Sequence, residues 1–130
     1  MKLSFDFDNT LSRHSVQEFA TQLVHRGHEV WIVTSRYSED GAPEFLKNSV
    51  RLSNVDVFMV AEDCGINLKH IHFTNMEPKV DFLAKDNFLF HVDDDVSELF
   101  CIREHTTECI PVNVDFLSWQ EDCIKLIKII

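Results

Sequence analysis

Apolar and polar residues alternate at the start of the chain. Leu3, Phe5 and Phe7 interleave with Ser4, Asp6 and Asp8, the period-two pattern of a strand. Val16, Phe19, Ala20, Leu23 and Val24 then recur along one helical face. Ser15 and Glu18 have the spacing of a capping box at its start, and Gly27 suits the left-handed residue that ends it. Val30 to Val33 is continuously apolar, as in a strand buried on both faces. Strand, helix and strand with short links form a crossover to a parallel neighbour.

Residues 35–52 are polar and turn-rich, with Pro43 placed to start a short helix through Phe45 and Leu46. Ser53 or Asn54 caps the next helix, which carries Val57, Val60, Ala61 and Cys64 inward and closes at Gly65. His70 to Thr74 reads as a third strand. Pro78 opens a short helix with Val80, Leu83 and Ala84 inward, and Asn87 to Val92 is a fourth strand. Asp95 and Glu98 form a second capping box ahead of a helix with Val96, Leu99 and Phe100 on its buried stripe. Glu108 to Val112 is a fifth strand, set at an edge by Pro111. Asp115 to Ile130 reads as a terminal helix carrying Leu117, Trp119, Cys123, Ile124 and Ile127. Strands alternating with helices predict an α/β fold with a mainly parallel sheet.

Length and composition narrow this picture. The 130 residues suffice for one domain spanning 1–130 and are too few for two. A formal charge of −10 repels nucleic-acid phosphates, which argues against general nucleic-acid binding but not against a local basic groove. No apolar run approaches the roughly 20 residues of a membrane span. The chain enters a strand at once, with no signal-peptide pattern. Cys64, Cys101, Cys109 and Cys123 form no Cys-x-x-Cys pair, so they read as reduced cysteines of a cytoplasmic protein.

The chemistry sits where the strands end. On an extended segment Asp6 and Asp8 project to one side. Carboxylates so close repel unless a cation lies between them or one holds a proton. Parallel sheets bind ligands at the carboxyl ends of their strands. There the chain places Asp6, Asp8 and Thr10, then Thr34, Ser35 and Arg36, then Thr74 and Asn75 with Lys79 a few residues on, then Asp93 and Asp94. A nucleophilic carboxylate, a hydroxyl, a lysine and an acidic pair are the parts needed to move a phosphoryl group. His70 and His72 share a strand face but lack a third metal ligand, so they read as structural. His91 shares a face with Asp93, which makes it either a core histidine or a hydrogen-bonding neighbour of the site.

Asp6-x-Asp8-x-Thr10 after an apolar strand resembles the opening signature of the haloacid dehalogenase-like (HAD) phosphatase superfamily. Thr34 after Val30–Val33 is similar to the second motif's hydroxyl, Lys79 to the third motif's lysine, and Val92-Asp93-Asp94 to the fourth motif. The resemblance spans residues 3 to about 98. It implies a Rossmann-like three-layer fold with strand order 5-4-1-2-3. It also implies a magnesium-dependent hydrolase of phosphate monoesters in which Asp6 becomes an aspartyl phosphate. Asp8 then handles the leaving-group proton, and Thr34 and Lys79 hold the equatorial oxygens. Asp6 and Asp94, with the backbone carbonyl of Asp8, hold Mg2+, and Asp93 is the competing choice of acid. Asn9, Thr10, Ser35 and Arg36 fall on the substrate side. Ser35 competes with Thr34 for the hydroxyl role, and Lys85 or Lys69 with Lys79. Asp95 reads as a helix cap. Glu98 reads as its capping partner or as an extra acid.

Leu11 to His14 leaves no room for the cap domain usual after the first motif, and 37–52 allows only a small elaboration. An open site of this kind implies a phosphorylated small molecule or macromolecular end as substrate, or closure by association into an oligomer. A phosphotransferase is the nearest alternative. A catalytically idle metal-binding regulatory domain is another, against which the intact Asp6 and Asp8 argue.

Overall fold

The computed structural model describes residues 1–106 and 108–129. Five strands are built from the expected apolar runs: β1 (Lys2–Phe5), β2 (Glu29–Thr34), β3 (Ile71–Phe73), β4 (Phe88–Asp93) and β5 (Ile110–Asn113). They pair in the order β3-β2-β1-β4-β5, every pair parallel. This is the expected order read from the other edge. β1 is central and Pro111 lies on edge strand β5, where a missing N–H is tolerated. Among the described residues six α-helices accompany the sheet: α1 (His14–His25), α2 (Lys47–Ser53), α3 (Val55–Cys64), α4 (Val80–Leu83), α5 (Val96–His105) and α6 (Trp119–Ile129).

The apolar side chains divide by face. Leu3, Phe5, Val30, Ile32, Phe90 and Val92 pack with Phe19 and Leu23 of α1, Val57 and Ala61 of α3, and Trp119 and Cys123 of α6. Val33 and Phe88 pack on the opposite side with Val80 and Leu83 of α4 and Ile102 of α5. The result is a Rossmann-like three-layer α/β fold. One irregularity matters for the site. Lys2 pairs with Phe88 but Leu3 pairs with Phe90, so Leu89 is an extra residue in β4, as in a β-bulge. It lets Phe88 face α4 and α5 while Phe90 and Val92 face the other layer.

Several local expectations are corrected. Helix α1 starts at His14, so Ser15 lies inside its first turn, and no side chain caps it. Neither Ser53 nor Asn54 caps α3; the Asn54 side chain donates instead to the Tyr37 carbonyl at 2.9 Å. Asp95 does cap α5, accepting from the Ser97 and Glu98 amides. Glu98 does not return the bond; its carboxylate accepts from the Lys79 amide at 3.0 Å. Val96 and Phe100 are exposed, and α5 buries Leu99 and Ile102 instead. Ala84 is exposed as well. The last helix begins at Trp119 rather than Asp115, which leaves Leu117 fully exposed in the preceding loop.

The 37–54 segment holds one short turn and α2, neither with a buried residue. All four cysteines are free, and burial pushes the Cys109 and Cys123 thiols up to about 12. Among the described residues no helix is long and apolar enough to cross a membrane.

Candidate functional site

Strands β1 and β4 end side by side, with Phe5 opposite Val92 and the Asp6 amide bonded to the Val92 carbonyl at 2.8 Å. That pairing brings Asp6 and Asp93 to the same end of the sheet. Lys79 arrives from the loop after β3. There Asn75 and Met76 are consecutive left-handed residues, with φ of 55° and 67°. Their amides bond to the Arg36 and Ser35 carbonyls. Two such residues in sequence are strained, and strain of this kind is kept where the surroundings fix it. Here the turn sends the chain back so that α4 starts at the site.

Lys79 is buried between two carboxylates. Its Nζ donates to Asp6 Oδ1 at 2.8 Å and to Asp93 Oδ2 at 2.6 Å, which leaves one N–H for a ligand. Asp93 is saturated. Its Oδ1 accepts from the amides of Asp94 and Asp95, and its Oδ2 from Lys79 and from His91 Nε2 at 2.7 Å. Four donors fill the four lone-pair positions of a carboxylate. Asp93 therefore has none to offer a cation, although one of its oxygens lies within 4.8 Å of one oxygen each of Asp6 and Asp94. Asp6 Oδ2 and Asp94 remain open. Thr10 Oγ1 approaches both, at 3.5 and 3.4 Å, long contacts served by one proton. Asp6 and Asp94 are thus the acids available to a hard divalent ion, which takes a few carboxylates and keeps water.

The electrostatics follow from burial. Burial, then the charge of Asp93, pushes the Asp6 carboxyl up to about 8 despite Lys79. Burial also acts to raise Asp93, but hydrogen bonding from His91 and the charge of Lys79 outweigh it and hold Asp93 below the usual carboxylate range. Burial alone would lower Lys79; the two carboxylates reverse that and keep it charged.

Asp8 lies outside this buried set. It is about half exposed and bound by Arg36, whose Nε and Nη2 meet its two oxygens at 2.9 and 2.7 Å. The same guanidinium donates to Asp56 from Nη1 and Nη2 and to the Ser53 carbonyl. Its carbon stands 5.1 Å from the Phe7 ring centroid, a cation–π distance. All five Arg36 donors point to protein groups, so this side chain orients Asp8 rather than offering a free N–H.

The other expected residues fall nearby or apart. Thr34 ends β2, fully buried, its hydroxyl accepting from the Arg36 amide at 3.3 Å. Ser35 follows it, half-buried. Asn9 is exposed and adopts φ 57° in the wide turn between Asp6 and Ser12, a conformation that asparagine tolerates. Lys69 and Lys85 are exposed and Lys79 is not, so the competing lysines lie off the buried site. His70 stacks on Trp31 and His72 on Phe82, as structural residues do.

Two participants were not read from the chain as parts of the site. Asp56 carried no signal beyond an acid in a helix's first turn. Ser4 carried a faint one, a hydroxyl between two core residues. Comparison with protein-family models, with curated proteins and with solved structures found no match.

Proposed function

We propose that this chain is a small HAD-like phosphomonoesterase that depends on magnesium and works through an aspartyl phosphate on Asp6. The observation that carries this reading is the placement of Lys79. It sits between Asp6 and Asp93, two acids that cluster with Asp94, at the carboxyl end of the central strand. A nucleophilic carboxylate facing a phosphate dianion needs positive charge next to it, and Lys79 supplies that together with a donor for a phosphoryl oxygen.

Magnesium held by Asp6 and Asp94 would supply Lewis-acid stabilisation of the charge on the transferring group. Asp6 attacks phosphorus with one carboxylate oxygen. The bond from phosphorus to the leaving oxygen breaks, and that oxygen takes a proton from Asp8. Water then gives a proton to Asp8 and attacks the aspartyl phosphate, releasing phosphate and restoring Asp6. Arg36 holds Asp8 in place for both transfers, and the resemblance assigns the Thr34 hydroxyl to an equatorial oxygen. The open rim admits a phosphorylated small molecule or a macromolecular end. The free thiols suit a reducing compartment such as the cytoplasm.

Phosphate release from an aryl phosphate, measured with and without Mg2+, tests the reading. Release is expected with the metal and absent in Asp6→Asn, since the amide cannot attack phosphorus. A variant as active as the wild type would remove Asp6 from its role. New phosphoesters formed on adding alcohols would move the activity to phosphoryl transfer.

A further inference from the structure

Behind the reacting groups runs a buried chain of polar side chains that the chemistry above does not use. Ser4 and His91 are directly opposite each other on β1 and β4. Ser4 Oγ lies 2.8 Å from His91 Nδ1, and His91 Nε2 lies 2.7 Å from Asp93 Oδ2. Both side chains are 0% exposed. A sheet face that needed only packing would be served by two apolar residues, because a buried imidazole costs free energy unless both nitrogens are bonded. The carboxylate of Asp93 can only accept, so Nε2 carries the proton. In a neutral ring Nδ1 is then bare and accepts from the Ser4 hydroxyl.

We propose that His91 and Ser4 are positioning residues that act on the site through Asp93. Ser4 fixes the tautomer and ring plane of His91. His91 fixes Asp93 Oδ2. That oxygen in turn holds Lys79 where its remaining N–H meets an incoming oxyanion. The inference rests on the oxyanion-binding reading of Lys79 given above. The same arrangement occurs around metal ligands, where outer hydrogen bonds orient the groups that touch the ligand.

Two amide substitutions separate positioning from packing. The amide nitrogen of His91→Gln reaches the place of Nε2 and can still donate to Asp93. The shorter side chain of His91→Asn reaches the place of Nδ1 and cannot. The probe is inorganic phosphate, titrated calorimetrically in the presence of Mg2+. His91→Asn and His91→Leu are expected to bind phosphate about tenfold more weakly, and His91→Gln to stay within a few fold of the wild type. The Mg2+-induced rise in thermal midpoint should survive in all three, because Asp6 and Asp94 are untouched.

Equal losses in the Gln and Asn variants would overturn the proposal, as would a lost Mg2+ response. So would wild-type protein that binds no phosphate. The wild type also gives a test without substitution. Nitrogen-15 spectra should show His91 as the Nε2–H tautomer with a proton slow to exchange, and an Nδ1–H tautomer would refute the chain. Absent turnover with phosphate binding and the Gln–Asn split intact would instead count against the hydrolase reading alone.

Discussion

The site contains the same motif twice, a cation between two carboxylates, in two different settings. Asp6–Lys79–Asp93 is buried, with side-chain exposures of 7%, 3% and 0%. Asp8–Arg36–Asp56 is at the rim, with 52%, 22% and 54%. In the buried set the groups have lost their water, so the loss of one partner is severe. In the rim set water replaces whatever is removed. The choice of cation fits the setting. Lysine is a compact point charge that keeps one donor free, whereas the arginine fork spends its donors on two acids and the Ser53 carbonyl, holding them in one geometry. On the proposed function the buried triad meets the ligand and the rim triad orients a side chain.

The sharpest way to break the comparison is to remove each cation. Lys79→Met removes the cation shared by two buried acids, although Asp93 keeps its bonds to His91 and two amides, and a loss of about 3–5 kcal/mol is expected in denaturant unfolding. If it costs no more than the matching rim variant, burial does not distinguish the two sets.

The pH dependence of the metal-free protein probes the buried set alone. The Asp6 carboxyl is raised from 3.8 to about 8, so the fold favours its protonated form. That contribution is complete below about pH 4 and is lost as pH rises through about 8. With a chelator present, the wild-type midpoint should therefore fall relative to Asp6→Asn as pH rises across this window. Parallel curves would mean that Asp6 is ionised throughout.

Metal linkage comes next in size. Mg2+ at a hundred times its dissociation constant should stabilise the wild type by about 2.7 kcal/mol. Asp94→Ala should suppress the response. Asp95→Ala should keep it and lose about 1 kcal/mol as a helix cap. A full response in Asp94→Ala would contradict the ligand choice. The smallest effect belongs to the rim: Arg36→Met is expected to cost about 1 kcal/mol or less and to keep the Mg2+ response.

The parts of this structure that were legible in the sequence are those set by local pattern. Val30–Val33 and, but for His91, Phe88–Val92 are apolar runs of the length of buried strands. Asp6, Lys79, Asp93 and Asp94 stood out as polar groups at or just past the ends of such runs. Asp56 did not, because its partner is fixed by where the 37–54 segment folds back on Asp8, a long-range event with no period. Phe100 was misplaced for a similar reason. On α5 the position against the sheet turns Leu99 and Ile102 inward, whichever other residues are apolar. Asp93 was a candidate ligand through the resemblance of its acidic pair to the fourth motif. Only the four donors around it show that its lone pairs are taken.

The extra residue in β4 bears on how the chain tolerates changes of length. With Leu89 removed, Phe88 and Phe90 would stand opposite Lys2 and Leu3 in unbroken alternation, and every residue from Phe90 onward would keep its face. A residue lost between Phe90 and Asp93 would instead turn His91 or Asp93 away from Lys79. One strand thus holds a dispensable position within a few residues of positions whose spacing cannot change. A deletion at Leu89 is therefore expected to be tolerated better than one at Val92.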